Sequence, residues 1–450
     1  MSRSFLIPSL LLSIVLGACG DDSSMVTDTG PGPDVPGTDA GPVTCGDGDI
    51  IVSGSIEGDT TWTCPSYVLQ GIVFVTGDST LTIEPGVQIF GDPGTPFSSL
   101  IVTSGSQLNA VGTAEMPIVF SSGNADGARA SGDWAGVALL GDATINNGAD
   151  NGGVLEGRLE GIDASDDRAI FGGANDASDC GTLSYVRIEF AGAELSPDNE
   201  LNGLTIAGCG TGTEISYVQV HRGKDDGIEF FGGTTGMDHV VITGASDDSL
   251  DFDLGWRGSV QYLIVHQYPG IGDNGIEGDN LGSNEAATPR TSPTLFNATF
   301  IGTPDTRGMV LREGAQGILR NFIIQDFGGE SVDLRAETVD LTMEWPGNLS
   351  IENSFFFGNG EYATEMGEGD DDMGFPEQTM IEDAARMNTL DQDPGVGSTS
   401  VTDPDYVPTN DMLAGQATPP AGLDAAGTFA GAIAPNGTDW TAGWTAYPEN

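Results

Sequence analysis

Basic side chains are nearly missing from this chain. Lysine and arginine together number 14 against 67 aspartates and glutamates, the formal net charge is −53, and Lys224 is the single lysine. That balance argues against nucleic-acid binding, which needs basic surface to displace counterions from phosphate, and against adhesion to anionic lipid. Histidine is scarce, with three residues, His221, His239 and His266. No CxxC spacing occurs, which removes the usual signature of structural zinc. No G-x-S-x-G, P-loop or H-E-x-x-H pattern occurs either. Helical periodicity is almost absent, and beyond the N-terminus no apolar run reaches the ~18 residues of a membrane helix.

Residues 1–19 read MSRSFLIPSLLLSIVLGAC. Arg3 supplies a short basic start, and residues 5–16 form an apolar run too short to span a bilayer, the pattern of an export signal. Its end, Leu16-Gly17-Ala18-Cys19, resembles the bacterial lipobox. The resemblance implies that Cys19 carries a diacylglycerol and anchors the chain at the outer membrane or cell surface of a Gram-negative bacterium, the lipid being its only contact with the membrane. Residues 20–44 are rich in Gly, Pro, Asp and Thr and contain no Lys or Arg. They have too little to bury to offset the entropy of ordering, so a disordered tether is expected. Four further cysteines, Cys45, Cys64, Cys180 and Cys209, make an even count in an exported chain, which favours two disulfides. Three pairings are open, and Cys45–Cys64 with Cys180–Cys209 is the most economical.

What the sequence has in place of helices is a series of short alternating strands between Gly, Asn and Asp turns. YVRIE at Tyr185, YVQVH at Tyr217, HVVIT at His239 and YLIVH at Tyr262 are equivalent, and NATF at Asn297, NFIIQ at Asn321 and NSFFF at Asn353 continue them. The tightest steps are about 22 residues, a solenoid period, and longer ones hold loop insertions. The expectation is an all-β fold: a right-handed, single-stranded parallel β-helix of about ten coils over 45–360, each coil stacked ~4.8 Å from the next. Asn297, Asn321 and Asn353 would then form an amide ladder. From 361 the alternation fades. Residues 361–450 are expected to cap the last coil, with the 428–433 segment, Trp440 and Trp444 supplying apolar cover, and a short helix falls near 376–387.

Stretches such as STLTIEPGVQIFG, GDWAGVALLGDATIN and DWTAGWTAYPEN resemble a family of bacterial surface lipoproteins similar to the pectate-lyase-like β-helix superfamily. The likeness covers roughly residues 65–330 and the C-terminal end. It implies the fold and an outer-surface location. No activity of the lipoprotein group carries over, and the wider superfamily, with its polysaccharide lyases, glycosidases and adhesins, implies only a leaning towards carbohydrate.

Register places three acidic segments side by side: DDGIEFF from Asp225, DDSLDFD from Asp247 and DNGIEGD from Asp273. Alternation sends Ile228, Phe230, Leu250, Phe252 and Ile276 inward and the residues between them outward. One outward column reads Glu229, Asp251, Glu277, Val310, Asp333, and its neighbour reads Phe231, Asp253, Asp279, Arg312, Arg335. Asp251, Asp253, Glu277 and Asp279 therefore form a square of carboxylates, whose hard oxygens suit Ca²⁺. Asp226, Asp248 and Asn274 precede the strands and read mainly as turn formers.

The reading this supports is a non-catalytic surface protein with a binding or structural role, holding Ca²⁺ and taking a glycan. The alternative is a Ca²⁺-dependent polysaccharide lyase in which Arg312 removes the proton, or, more remotely, a glycoside hydrolase. Arg312 would equally serve to pair with Asp279 and end the acidic run. His221 and His266 fall at equivalent outward positions two coils apart, ~9.6 Å, too far to share a metal directly.

Overall fold

The computed structural model describes residues 45–450 apart from positions 47, 96, 150, 151, 197, 198, 361 and 363–373. The expected export signal, Cys19 and the expected tether lie outside the described residues. Pairing between strands is parallel throughout the main sheet, and each strand pairs with its equivalent one coil on. A continuous outward column runs Ser55, Phe74, Ile101, Ala138, Thr205, Glu229, Asp251, Glu277, Val310, Asp333. Those ten registered positions are ten coils of a right-handed parallel β-helix, as the repeat predicts. The two disulfides join Cys45 to Cys64 and Cys180 to Cys209.

The interior follows from alternation. Ile228, Phe230, Leu250, Phe252, Ile276, Met309, Leu311, Val332 and Leu334 all point inward and are buried in one elongated core. That core is closed at its C-terminal end by Leu341, Trp345, Phe375 and Ile381, the last on the short helix Glu377–Glu382. Strand pairing continues to Thr389–Leu390, which lies on Phe355–Phe357.

One recurring bend explains why equivalent strands open on Tyr, His or Asn. Tyr185, Tyr217, His239, Tyr262, Asn297, Asn321 and Asn353 all have φ between 51° and 64°. A left-handed residue at the same place in each coil turns the chain; asparagine adopts that conformation readily and bulky side chains do not. The aromatic members offset the strain by stacking: Tyr185 on Tyr217 at 4.5 Å and Tyr217 on His239 at 4.4 Å, with His239 tilted against Tyr262 at 4.8 Å. The expected asparagine ladder does not form. Asn297 and Asn321 both donate instead to the carbonyl of Gly427 (2.9 and 3.0 Å), because a C-terminal segment lies across them.

The end of the chain departs from the expectation of a cap. Residues 396–450 run back along the side of the solenoid as a strap. Asp424 meets Gln261 and Tyr262, Ala432 meets Thr299, Trp440 meets His239, Trp444 meets Tyr185 and Arg187, and Pro448 meets His221. The physical reason is an outward column that is itself apolar. Val241, Ile264, Ile301, Ile323 and Phe355 point away from the core, and the strap buries them with Tyr406, Leu413, Ala430, Ala432, Ile433 and Trp444. Trp444 donates to the carbonyl of Trp440 (2.8 Å) and is 1% exposed, so it is a packing residue rather than a surface platform.

Candidate functional site

The acidic face is the next face of the solenoid. Its early coils are apolar: Phe74, Ile101, Ala138, Leu140 and Ala207 point outward and are covered by an insertion carrying Ile145, Leu159, Ala169 and Phe171. Where that cover ends, at Phe231 and Leu254, the outward column turns to Glu229, Asp251 and Glu277. The insertion meets the next long loop above this point, where Asn146 donates to Asn280 Oδ1 (2.7 Å) and the Pro289 carbonyl (3.0 Å). The carboxylates thus form an acidic floor that begins where the insertion's apolar cover ends.

Beside the floor runs a second column. The amide of Asp226 donates to Asn202 Oδ1 (3.3 Å), that of Asp248 to Asp226 Oδ1 (3.0 Å), and that of Asn274 to Asp248 Oδ1 (2.7 Å). These residues are 7%, 4% and 2% exposed at 226, 248 and 274. They are rungs between coils, which corrects the reading of them as formers of their own turns. The reason is stacking: a side chain at a coil's corner lies beside the amide of the next coil, so it satisfies that amide rather than one in its own turn.

Asp226, Glu229 and Asp251 each offer an oxygen within 4.8 Å of the others. On the solvent side of the ladder, Asp225, Asp226 and Asp247, and again Asp247, Asp248 and Asp273, approach equally closely. Glu229 accepts from Asn202 Nδ2. Asp251 Oδ1 and Asp253 Oδ1 are buried without a hydrogen-bond partner, as is Thr205 Oγ1, two coils before Asp251 in the same column. Burial, and after it crowding, raises the carboxyl pKa values. Burial is the main cause at Asp251, followed by the charges of Glu229, Asp226 and Glu277. Asp226, Glu229 and Asp253 are likewise pushed well above the ordinary range, first by burial. Asp248 is raised to about 8 and Glu277 to about 7, again chiefly by burial.

The sequence-derived square is only partly assembled. Asp251 joins Asp226 and Glu229 one coil earlier, while Glu277 and Asp279 turn to Arg312, whose Nε donates to Asp279 (2.8 and 3.0 Å) and whose Nη2 pairs with Glu277. A guanidinium one coil further on neutralises that half, so Asp253 and Asp279 do not join the close group. Burial works hardest against the charge of Arg312, but the hydrogen bond to Asp279 together with the charges of Asp279, Glu277 and Glu313 outweighs it and raises the arginine's pKa. Arg335 pairs with Asp333 (2.7 Å). Thr205, Asn202 and Asp226 were missed as members of the site. The signal for them was present in NGLTI at Asn202, which repeats the pattern of DGIEF and DSLDF without acidic charge.

A family model for a pectate-lyase-like β-helix domain matches residues 54–445. The chain belongs to that family. The matched span takes in the coils, the acidic face and most of the strap, so the strap is part of this chain's pectate-lyase-like domain rather than an appendage. No match is found among curated proteins or among solved structures. The histidines of this pectate-lyase-like domain form no joint site: His221 is bonded to Thr243 (2.7 Å), His266 to Tyr406 (3.1 Å), and His239 stands in the aromatic stack.

Proposed function

We propose that this protein is a non-catalytic surface β-helix whose acidic face takes Ca²⁺ at Asp226, Glu229 and Asp251, and that the ion supports a face for glycan binding. The observation that carries the cation reading is the convergence of three carboxylates within 4.8 Å, one of which, Asp251, has a buried oxygen with no donor. Like charges at that distance raise one another's pKa unless a cation intervenes. Oxygen-only donors on semi-rigid strands suit Ca²⁺ better than zinc. Lipid attachment at Cys19 and display at the outer membrane complete the reading and rest on the sequence of residues 1–44.

The lyase alternative asks Arg312 to accept a proton, and the pairing of its guanidinium with Glu277 and Asp279 works against that role. The test is calorimetric titration of the metal-stripped chain with CaCl₂ and with MgCl₂. Micromolar-to-millimolar Ca²⁺ binding that Asp251→Asn abolishes supports the site. An absence of binding heat, together with an unchanged melting temperature, removes it.

A further inference from the structure

We infer that the strap of residues 396–450 is an acid-sensitive latch, held to the solenoid by two neutral imidazoles and loosened when they take up protons. The inference goes beyond the cation reading and does not depend on it. His221 and His266 sit at the same outward position two coils apart, and both lie beneath the strap. The His221 ring is bonded on one side to Thr243 Oγ1 (2.7 Å) and on the other to the carbonyl of Pro448 (2.8 Å). His266 Nδ1 is bonded to Tyr406 Oη (3.1 Å), and the backbone of Thr399 adds a further contact. Pro448, Tyr406 and Thr399 all belong to the strap. The rings are 0% and 2% exposed.

The groups that face these rings give no welcome to a positive charge. Around His221 stand the edges of Phe190, Tyr268 and Tyr447. The charged groups near enough to act on it are Arg222 and Arg187, both cationic. Glu189, one coil back, already pairs with Arg187 (3.0 Å) and accepts from Ser121 (3.0 Å). Around His266 stand Tyr268 and Tyr406. Among the described residues neither imidazole is bonded to a carboxylate. Burial first, and for His221 the two arginines after it, depress the ring pKa to about 3 at His221 and about 4 at His266.

The sign follows from linkage. A histidine whose pKa is depressed while the strap is docked binds protons only when the strap is off. Docking is therefore at full strength above the ordinary value of 6.5 and weakens as pH falls below it. One pH unit below that value, each ring shifts the equilibrium about tenfold, and the pair about a hundredfold. What the latch uncovers is specific: the outward apolar column at Val241, Ile264 and Ile323, and the free amides of Gln219 and Gln261, which otherwise grip the strap backbone.

The experiment is hydrogen–deuterium exchange on the full chain from pH 7.5 to 4.5, corrected for intrinsic rates and read peptide by peptide, beside NMR of protein labelled with ¹³C at histidine Cε1. The expected result is that peptides from 440–450 and 399–407 lose protection by tenfold or more relative to strand Met237–Thr243, and that His221→Gln/His266→Gln abolishes that loss. If the double variant does not fold, His266→Gln alone should remove one proton from the pH dependence. Strap protection that follows the core at every pH overturns the inference. So does a variant that retains the full acid response, or a His221 or His266 resonance that titrates near 6.5 while the strap stays protected.

Discussion

Gln219 and Ala446 are joined by two hydrogen bonds: Gln219 Nε2 donates to the Ala446 carbonyl (2.8 Å) and its Oε1 accepts the Ala446 amide (2.9 Å). A side-chain amide thus stands in for a neighbouring strand, 227 residues away in sequence. Gln261 repeats the arrangement with Asp424 (3.1 and 2.7 Å). Gln219→Ala leaves a donor and an acceptor of the strap unpaired at a buried site. It should lower stability by about 1–3 kcal/mol and speed proteolysis within 440–450 at neutral pH. Urea denaturation and limited proteolysis measure both, and an unchanged cleavage rate would count against the glutamine as a strap anchor.

Asp251→Asn bears on the acidic floor. Without divalent ions the wild-type carboxylates repel one another, and an amide at 251 removes one charge while offering a donor to Glu229 or Asp226. The metal-free variant should melt about 2–4 °C higher than wild type and should show no further rise with CaCl₂. A variant that melts lower than wild type when metal-free, or still gains from Ca²⁺, contradicts the assignment.

The pH dependence of the metal-free protein has a definite sign. Asp248 and Glu277 have folded pKa values raised to about 8 and about 7, from ordinary values of 3.8 and 4.5. Groups raised in this way contribute stability that is complete below their ordinary values and is lost as pH rises through the raised ones. Between pH 6.5 and pH 9 the metal-free chain should therefore lose stability. Scanning calorimetry at the two pH values decides the matter. Equal melting temperatures without metal would show that the carboxylates are already balanced.

Arg312→Gln removes the cation shared by Glu277 and Asp279, whose side chains are 17% and 15% exposed. The expected cost is about 1–3 kcal/mol, below that of a fully buried pair because water still reaches the group. The variant should also gain more from CaCl₂ than wild type does, since two further carboxylates lose their partner. Parallel melting curves for wild type and variant, with and without Ca²⁺, would refute the pairing as a structural element.

The solenoid was legible because its period lies in the backbone. Alternation at Ile228, Phe230, Leu250 and Phe252, repeated every coil, leaves no other way to bury those side chains. The acidic face was legible in composition and register but not in its grouping. Nothing in DNGIEGD shows that Arg312 reaches back across a coil to Glu277, because that depends on side-chain reach and not on pattern. The ladder from Asn202 to Asn274 was hidden for a related reason: Asp and Asn in a turn usually bond their own loop, and only stacking redirects them. The strap was the largest departure. Val241, Ile264 and Ile323 fall in recognisable strands, and alternation says which face they occupy but not what covers that face. The partners are Tyr406, Leu413 and Trp444, in a segment with almost no periodicity of its own.

The direction in which the strap lies has a consequence for biogenesis. Chains are made from the N-terminus, so residues 396–450 emerge after every strand they cover. Until then Val241, Ile264, Ile323 and Phe355 stand uncovered on the outside of coils whose interiors are already complete. From Val241 onward, until the strap docks, a solenoid of this design carries a ribbon of bare hydrocarbon, the kind of surface that chaperones hold. Truncations that stop short of the strap should therefore be recovered as aggregates even when every coil is present.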